Sequence, residues 1–152
     1  MLLKVTDFSD KITEARQVQE DSYQKVIVPF VIYNLPNRDC SAGASASSST
    51  VGTGALDNYK KFIDSIAVLL KPSSDLSFAV ILEPDAVGNL VTNMNVTKCK
   101  EAEDVYIAGI AYAIQALQFD NVAIYIDAAH GNWLGWPDKL EPGMLLHVLL
   151  PI

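Results

Sequence analysis

The chain has 152 residues, with 11 Lys and Arg against 18 Asp and Glu, a formal net charge of −7, and half of its residues are hydrophobic. This is the composition of a folded globular chain, long enough for one domain with a real core (1–152) rather than two. The acidic balance speaks against nucleic acid and against an anionic membrane surface, both of which need clustered Lys and Arg, and no uncharged apolar run reaches the ~18 residues of a membrane span.

Met1–Leu3 is apolar, but Lys4 and Asp7 follow at once, which predicts no signal peptide. Ser9–Lys25 reads as a helix, with Ser9 as N-cap and Ile12, Ala15 and Val18, with Tyr23 further on, as sparse apolar positions. Val26–Tyr33 (VIVPFVIY) is a continuous apolar, β-branched run, predicting a strand buried on both faces in which Pro29 removes one ladder donor. Asn34–Gly54, rich in Ser, Ala and Gly, reads as a long loop. Leu56–Lys71 carries Leu56, Tyr59, Phe62, Ile63, Ile66, Leu69 and Leu70 at helical spacing and ends at Pro72. Ser77–Leu82 (SFAVIL) predicts a second buried strand, followed by a turn at Glu83–Pro84–Asp85. Glu101–Phe119 predicts a helix apolar almost all round, Asn121–Asp127 a third buried strand, Ala128–Pro137 a loop, and a short helix is expected to begin near Pro142. The apolar tail Gly143–Ile152 is expected to pack on a partner or to mark a shortened chain.

Apolar strands alternating with helices predict an α/β fold with a parallel sheet, since parallel crossovers require the intervening helices. A complete (β/α)8 barrel takes ~250 residues, so three strands make roughly half of one, or a small open sheet.

In parallel α/β folds the chemistry gathers beyond the carboxyl ends of the strands. Each predicted strand here ends on an acidic segment: Asp39 after the first, Glu83 and Asp85 after the second, Asp127 at the end of the third. Any one of them alone reads as a helix N-cap or a solvated loop acid. Converging on one rim, they would raise one another's pKa and keep one carboxyl protonated near neutrality, as a general acid must be. A carboxylate-based hydrolase acting on glycosidic bonds follows. Trp133 and Trp136, the only tryptophans, lie beside His130 in the loop after the third strand. They read either as a hydrophobic anchor under that loop or as flat platforms for the apolar faces of sugar rings.

Cys40 and Cys99 lack the His and Cys neighbours of a zinc site, and read either as two buried thiols or as one disulfide that closes a long loop. Asn95–Val96–Thr97 is a glycosylation sequon, which together with a disulfide leans towards secretion. Gly52–Thr53–Gly54 is no dinucleotide fingerprint, because Asp57 stands where the third Gly belongs. The serine run at 45–49 reads as a lid rather than a nucleophile, and His130 and His147 are too few for a metal cluster.

Three segments together, YNLPNRDC (33–40), LEPDAVGNLVTN (82–93) and IDAAHGNWLGWP (126–137), resemble glycoside hydrolase family 6, the cellobiohydrolases and endoglucanases that cut β-1,4-glucan with inversion. The resemblance runs in order from Val26 to Pro142. It implies that Asp85 is the acid protonating the leaving oxygen, and that Asp39 holds up the pKa of this acid and helps to organise the attacking water. Tyr33 resembles the tyrosine that pushes the sugar at the cleavage point out of its relaxed chair, Ser45 the loop serine that holds the water, and Arg38 the arginine beside the acids. Asp127 resembles a further active-site aspartate, while His130, Trp133 and Trp136 resemble leaving-side sugar contacts; Asn93 closes the second motif as a further substrate-binding candidate. Cys40 and Cys99 match the family's first disulfide.

The resemblance further implies a secreted, monomeric enzyme that takes cellulose or cello-oligosaccharides, releases cellobiose from chain ends and needs no metal or organic cofactor. It covers roughly the first half of a distorted TIM-like barrel: the strand expected before Ser9 and everything after about Leu146 have no counterpart. The alternative is therefore a catalytically incomplete glucan-binding remnant that lacks the general base. Asn34 and Asn37 stand where many members carry Asp, which is expected to change local charge rather than mechanism.

Overall fold

Three parallel strands form the centre of the computed structural model, which describes residues 5–42 and 49–149. Strand β1 (Ile27–Ile32) pairs with β2 (Ser77–Leu82), and β2 with β3 (Val122–Ile126), giving the order β1-β2-β3. The register sets Phe30 opposite Val80 and Val80 opposite Ile124. The three carboxyl ends therefore lie side by side on one edge. Pro29 is tolerated because β1 is paired on one side only among the described residues.

The helices pack on one face of this sheet. Helix α1 (Val5–Ser22) brings Phe8, Ile12 and Ala15 against Val28 and Phe30, with the Phe8 and Phe30 rings 4.6 Å apart. Helix α2 (Ala55–Leu70) buries Tyr59, Ile63, Ile66 and Leu70, the i, i+4, i+7, i+11 stripe of an amphipathic helix. Helix α4 (Thr97–Ala116) buries Tyr106, Ile110 and Ala113 beside it. The close approach of α2 and α4 depends on Gly109, where an added Cβ would stand 2.7 Å from the Leu35 side chain and 3.2 Å from the Tyr59 ring.

Two further helices lie at the carboxyl edge. The seven-residue α3 (Ala86–Thr92) follows β2 directly, and α5 (Pro137–Leu149) closes the described chain. The sequence reading has no α3, and it starts the last helix near Pro142. Pro137 instead occupies the first helical position, where a missing N–H is harmless, and Pro142 lies inside the helix.

The main correction concerns burial. The apolar strands predict a sheet covered on both faces, yet Val28, Phe30 and Ile32 are buried while Ile27 and Val31 are exposed. β3 shows the same alternation, with Tyr125 exposed. Strand composition records what two faces can accept; the helices described here cover one. Val18 and Tyr23, read as apolar positions of the first helix, are likewise exposed, and Tyr23 (φ 56°) ends that helix in a left-handed conformation. Among the described residues no helix is long and apolar enough to cross a membrane.

Candidate active site

The chain leaves β1 through Tyr33 and doubles back at once, with the Arg38 N–H donating to the Leu35 carbonyl at 3.1 Å. Asn37 (φ 56°) and Asp39 (φ 53°) are both left-handed, a conformation that non-glycine residues adopt at a cost of roughly 1 kcal/mol each. Asn37 secures the bend. Its side-chain oxygen accepts from the Val51 N–H, its amide donates to the Lys98 carbonyl, both at 3.2 Å, and its own carbonyl accepts the Tyr106 hydroxyl at 2.7 Å. Arg38 folds over Tyr33, its guanidinium carbon 4.8 Å from the ring centre and one nitrogen donating to the Tyr33 carbonyl. That contact fixes the ring from one side.

At the exit of β2, Glu83 (φ 47°) and Asp85 (φ 63°) are left-handed too. Asp85 occupies the N-cap position of α3 but makes no side-chain cap bond, so its carboxyl is not engaged as a helix cap. Asp127, at the exit of β3, reaches across instead: one of its oxygens accepts the Asp85 N–H at 2.9 Å and the Ala129 N–H at 3.1 Å.

These placements couple the acids. The Asp85 carboxyl is raised above the usual carboxylate range, first by burial, then by the charges of Asp127 and Asp39, with His130 pulling the other way. Tyr33 is raised as well, first by burial and then by the neighbouring Asp39 carboxylate. Tyr33, Arg38, Asp39, Asp85, Asp127 and His130 thus share one electrostatic neighbourhood on the carboxyl rim.

The remaining candidates separate. Trp133 is half-buried and laid on α3: its indole N–H donates to the Thr92 hydroxyl at 2.8 Å, and a Cβ at Gly88 would come within 2.9 Å of its ring. His130 lies 6.0 Å from that ring, while Trp136 is 58% exposed at the start of α5. One tryptophan is therefore anchored and the other open. Asn93 does not point to the acids; its amide donates to the Asn89 side chain, which also accepts the Ser41 hydroxyl, each at 2.8 Å. Ser45 lies outside the described residues. Cys40 and Cys99 form a disulfide that ties the loop after β1 to the first turn of α4, so Cys99 is helical rather than in a loop. No cluster of three or more His, Cys, Asp or Glu able to hold a metal occurs among the described residues.

Two residues escaped the sequence reading. Asn89, 2% exposed, joins the loop after β1 to α3. Glu83, 1% exposed, appeared only as one more rim acid, yet its carboxylate accepts the backbone N–H groups of Asn34 and Leu35. Neither partnership has a local signal, because both partners lie 48 or 49 positions away.

A parallel α/β sheet with carboxylates gathered at its carboxyl edge is the build of a glycoside hydrolase of the barrel class. The chain belongs to the family described as glycosyl hydrolases family 6, whose profile matches residues 2–150. It is 49% identical over 140 residues to a 1,4-β-D-glucan cellobiohydrolase from Podospora anserina, covering 91% of this chain and 33% of that protein. It is 41% identical to exoglucanase 3 of Agaricus bisporus, over 94% of this chain and 31% of that one. Among solved structures it is similar to a family 6 enzyme from Coprinopsis cinerea (43% identity, TM-score 0.89, 94% of this chain and 39% of that chain). It is also similar to cellobiohydrolase II of Humicola insolens in complex with glucose and cellotetraose (34%, TM-score 0.86, 94% and 40%). The chain spans about a third of the length of the curated relatives it matches.

Proposed function

We propose that this rim cleaves β-1,4-glucosidic bonds in cellulose with inversion, releasing cellobiose from chain ends, with Asp85 as the general acid. The observation that carries the reading is the Asp85 carboxyl, lifted by burial and by two neighbouring carboxylates while its side chain is free of any capping bond. A pKa moved in that direction favours the protonated form that a general acid needs in order to protonate the leaving glycosidic oxygen. Asp39, charged beside it, sustains that lift and organises the water that attacks the anomeric carbon from the opposite face. Inversion needs roughly 6.5–9.5 Å between the acid and the base that accepts the proton of this water.

Tyr33, pinned by Arg38 and directed at Asp39, presses the sugar at the cleavage point towards the half-chair that the transition state requires. Ser45 holds the water from the loop after β1. Asp127 orients the backbone of Asp85 and contacts substrate; His130, Trp133 and the exposed Trp136 receive the leaving-side sugars, with Asn93 as a further substrate contact. The intact enzyme acts as a monomer outside the cell; the Cys40–Cys99 disulfide supports that compartment, since cytosolic thiols are kept reduced.

A second reading is that this length of chain binds glucan without turning it over, for want of the general base. It is favoured by the share of the relatives' length that the chain spans. Incubating the purified chain with cellohexaose, with Asp85→Ala as control, separates the two. α-Cellobiose that disappears in the variant supports the acid assignment. Folded protein that binds cellotetraose but releases nothing supports the second reading, and neither binding nor release sinks both.

A further inference from the structure

We propose that Glu83 is a positioning residue: by holding the backbone N–H groups of Asn34 and Leu35 it fixes where Tyr33, Arg38 and Asp39 stand relative to Asp85. Its relevance to catalysis rests on the reading of the rim given above.

The observations converge on one side chain. Both Glu83 oxygens lie within hydrogen-bond distance of the Asn34 N–H, at 3.0 and 3.1 Å, and one also accepts the Leu35 N–H at 3.2 Å. The backbone N–H of Glu83 donates to the Ile32 carbonyl at 2.8 Å. A single residue thus holds Ile32, Asn34 and Leu35 at the β1 exit, on either side of Tyr33. It stands two positions before Asp85, so the two acids thought to cooperate are joined by a short, buried path. Strand alternation would send position 83 to the face shared by Ala79 and Ile81. The left-handed backbone at Glu83 breaks that alternation, and the side chain is 1% exposed. A carboxylate so buried must be hydrogen-bonded, and two amides supply the bonds.

The groups around it come from each neighbouring element: Tyr59 from α2, Tyr106 from α4 and Arg38 from the loop after β1. Burial dominates among them and pushes the Glu83 carboxyl up to about 7. Asp127 repeats the device one strand along, accepting the Asp85 N–H. The second and third strand exits thus each carry an acid that grips the backbone of the exit before it.

The test is a carboxyl-carbon and amide NMR titration of the full chain, without sugar, for the wild type and Glu83→Leu, which keeps the volume and removes both acceptor oxygens. In the wild type the Asn34 and Leu35 amide protons should shift with the Glu83 carboxyl near pH 7. In Glu83→Leu hydrogen-exchange protection of those two amides should fall about tenfold or more while Val80 and Leu82 stay protected. The titration of Asp85 should move down towards the ordinary Asp range as Asp39 withdraws, a change that a merely structural role would not produce. The proposal is overturned if the two amides ignore the Glu83 titration in the wild type, which requires no variant to fold. It is equally overturned if folded Glu83→Leu leaves their protection and the Asp85 titration unmoved. Cellotetraose binding is measured separately, so failure of the glucan reading leaves a distinct signature.

Discussion

At Asn37 a single amide does what a carboxylate could not. It accepts from the Val51 N–H and donates to the Lys98 carbonyl from a site only 8% exposed. Asn37→Asp would set a carboxylate against the Lys98 carbonyl, so the departure from the family's Asp alters hydrogen bonding as well as charge. The variant should lose about 1–3 kcal/mol at neutral pH, read from the urea midpoint, and recover part of it in acid as the carboxyl protonates. Glu83 makes the pH dependence of stability just as specific. Its carboxyl stands at about 7 against an ordinary 4.5, so the folded chain holds this proton more tightly than the unfolded chain does. The resulting stabilisation is complete below about pH 4.5 and is lost as pH rises through about 7, a fall of order 3 kcal/mol. Asp85, raised in the same direction, adds to that fall. Urea unfolding across this range should show the decline in the wild type and a flatter profile in Glu83→Gln.

Among the elements, α3 and Trp133 are paired so closely that Gly88 acts as the seat of the indole. Gly88→Ala favours the helix intrinsically but leaves a Cβ 2.9 Å from the ring, so the tryptophan must move. A shifted emission maximum and weaker cello-oligosaccharide binding are expected, with helix content unchanged; unaltered emission would contradict this seating. The Cys40–Cys99 bridge spans 59 positions. Replacing both cysteines by Ser should lower stability by roughly 2–5 kcal/mol and release exchange protection first in residues 38–42. The strands β1 and β2 were legible to within a residue because continuous apolar runs, six residues in IVPFVI and five in FAVIL, between turn signals leave little else to form. Helix α3 was not, because seven residues fall short of two turns of periodicity and an Asp before them reads equally as a cap or a loop acid. The rim acids were legible as positions, since strand ends mark where chemistry collects. Their mutual grip was not, because it runs from side chain to backbone between distant segments and leaves no trace in composition.

On the scale of the whole sheet, the described helices cover one face and leave the other exposed among the described residues. Ile27, Val31 and Tyr125 are exposed on the bare side, and an apolar groove of about 410 Å³ runs along the β1 edge between Val18, Ile27 and Pro29. Exposed apolar surface of this kind binds hydrophobic dyes and drives self-association. The native chain should therefore enhance anilinonaphthalene sulfonate fluorescence and sediment as concentration-dependent oligomers. Ile27→Thr with Tyr125→Thr should reduce both while preserving the circular dichroism spectrum, since Thr is still a good strand former. Sedimentation as a monomer at every concentration would count against that view.

The grips between strand exits have a further meaning for how the rim can vary. Asp127 sets Asp85, and the segment that carries Asp85 sets Tyr33 through Glu83, so position is handed on like a dimension in a chain of machined parts. An error introduced at β3 is therefore passed on to β1. One residue inserted between Leu82 and Asp85 should displace Asp85 from Asp127 and, through Glu83, shift the β1 exit as well. Divergence in such a molecule is channelled outward, into what surrounds the acids and away from the distances between them.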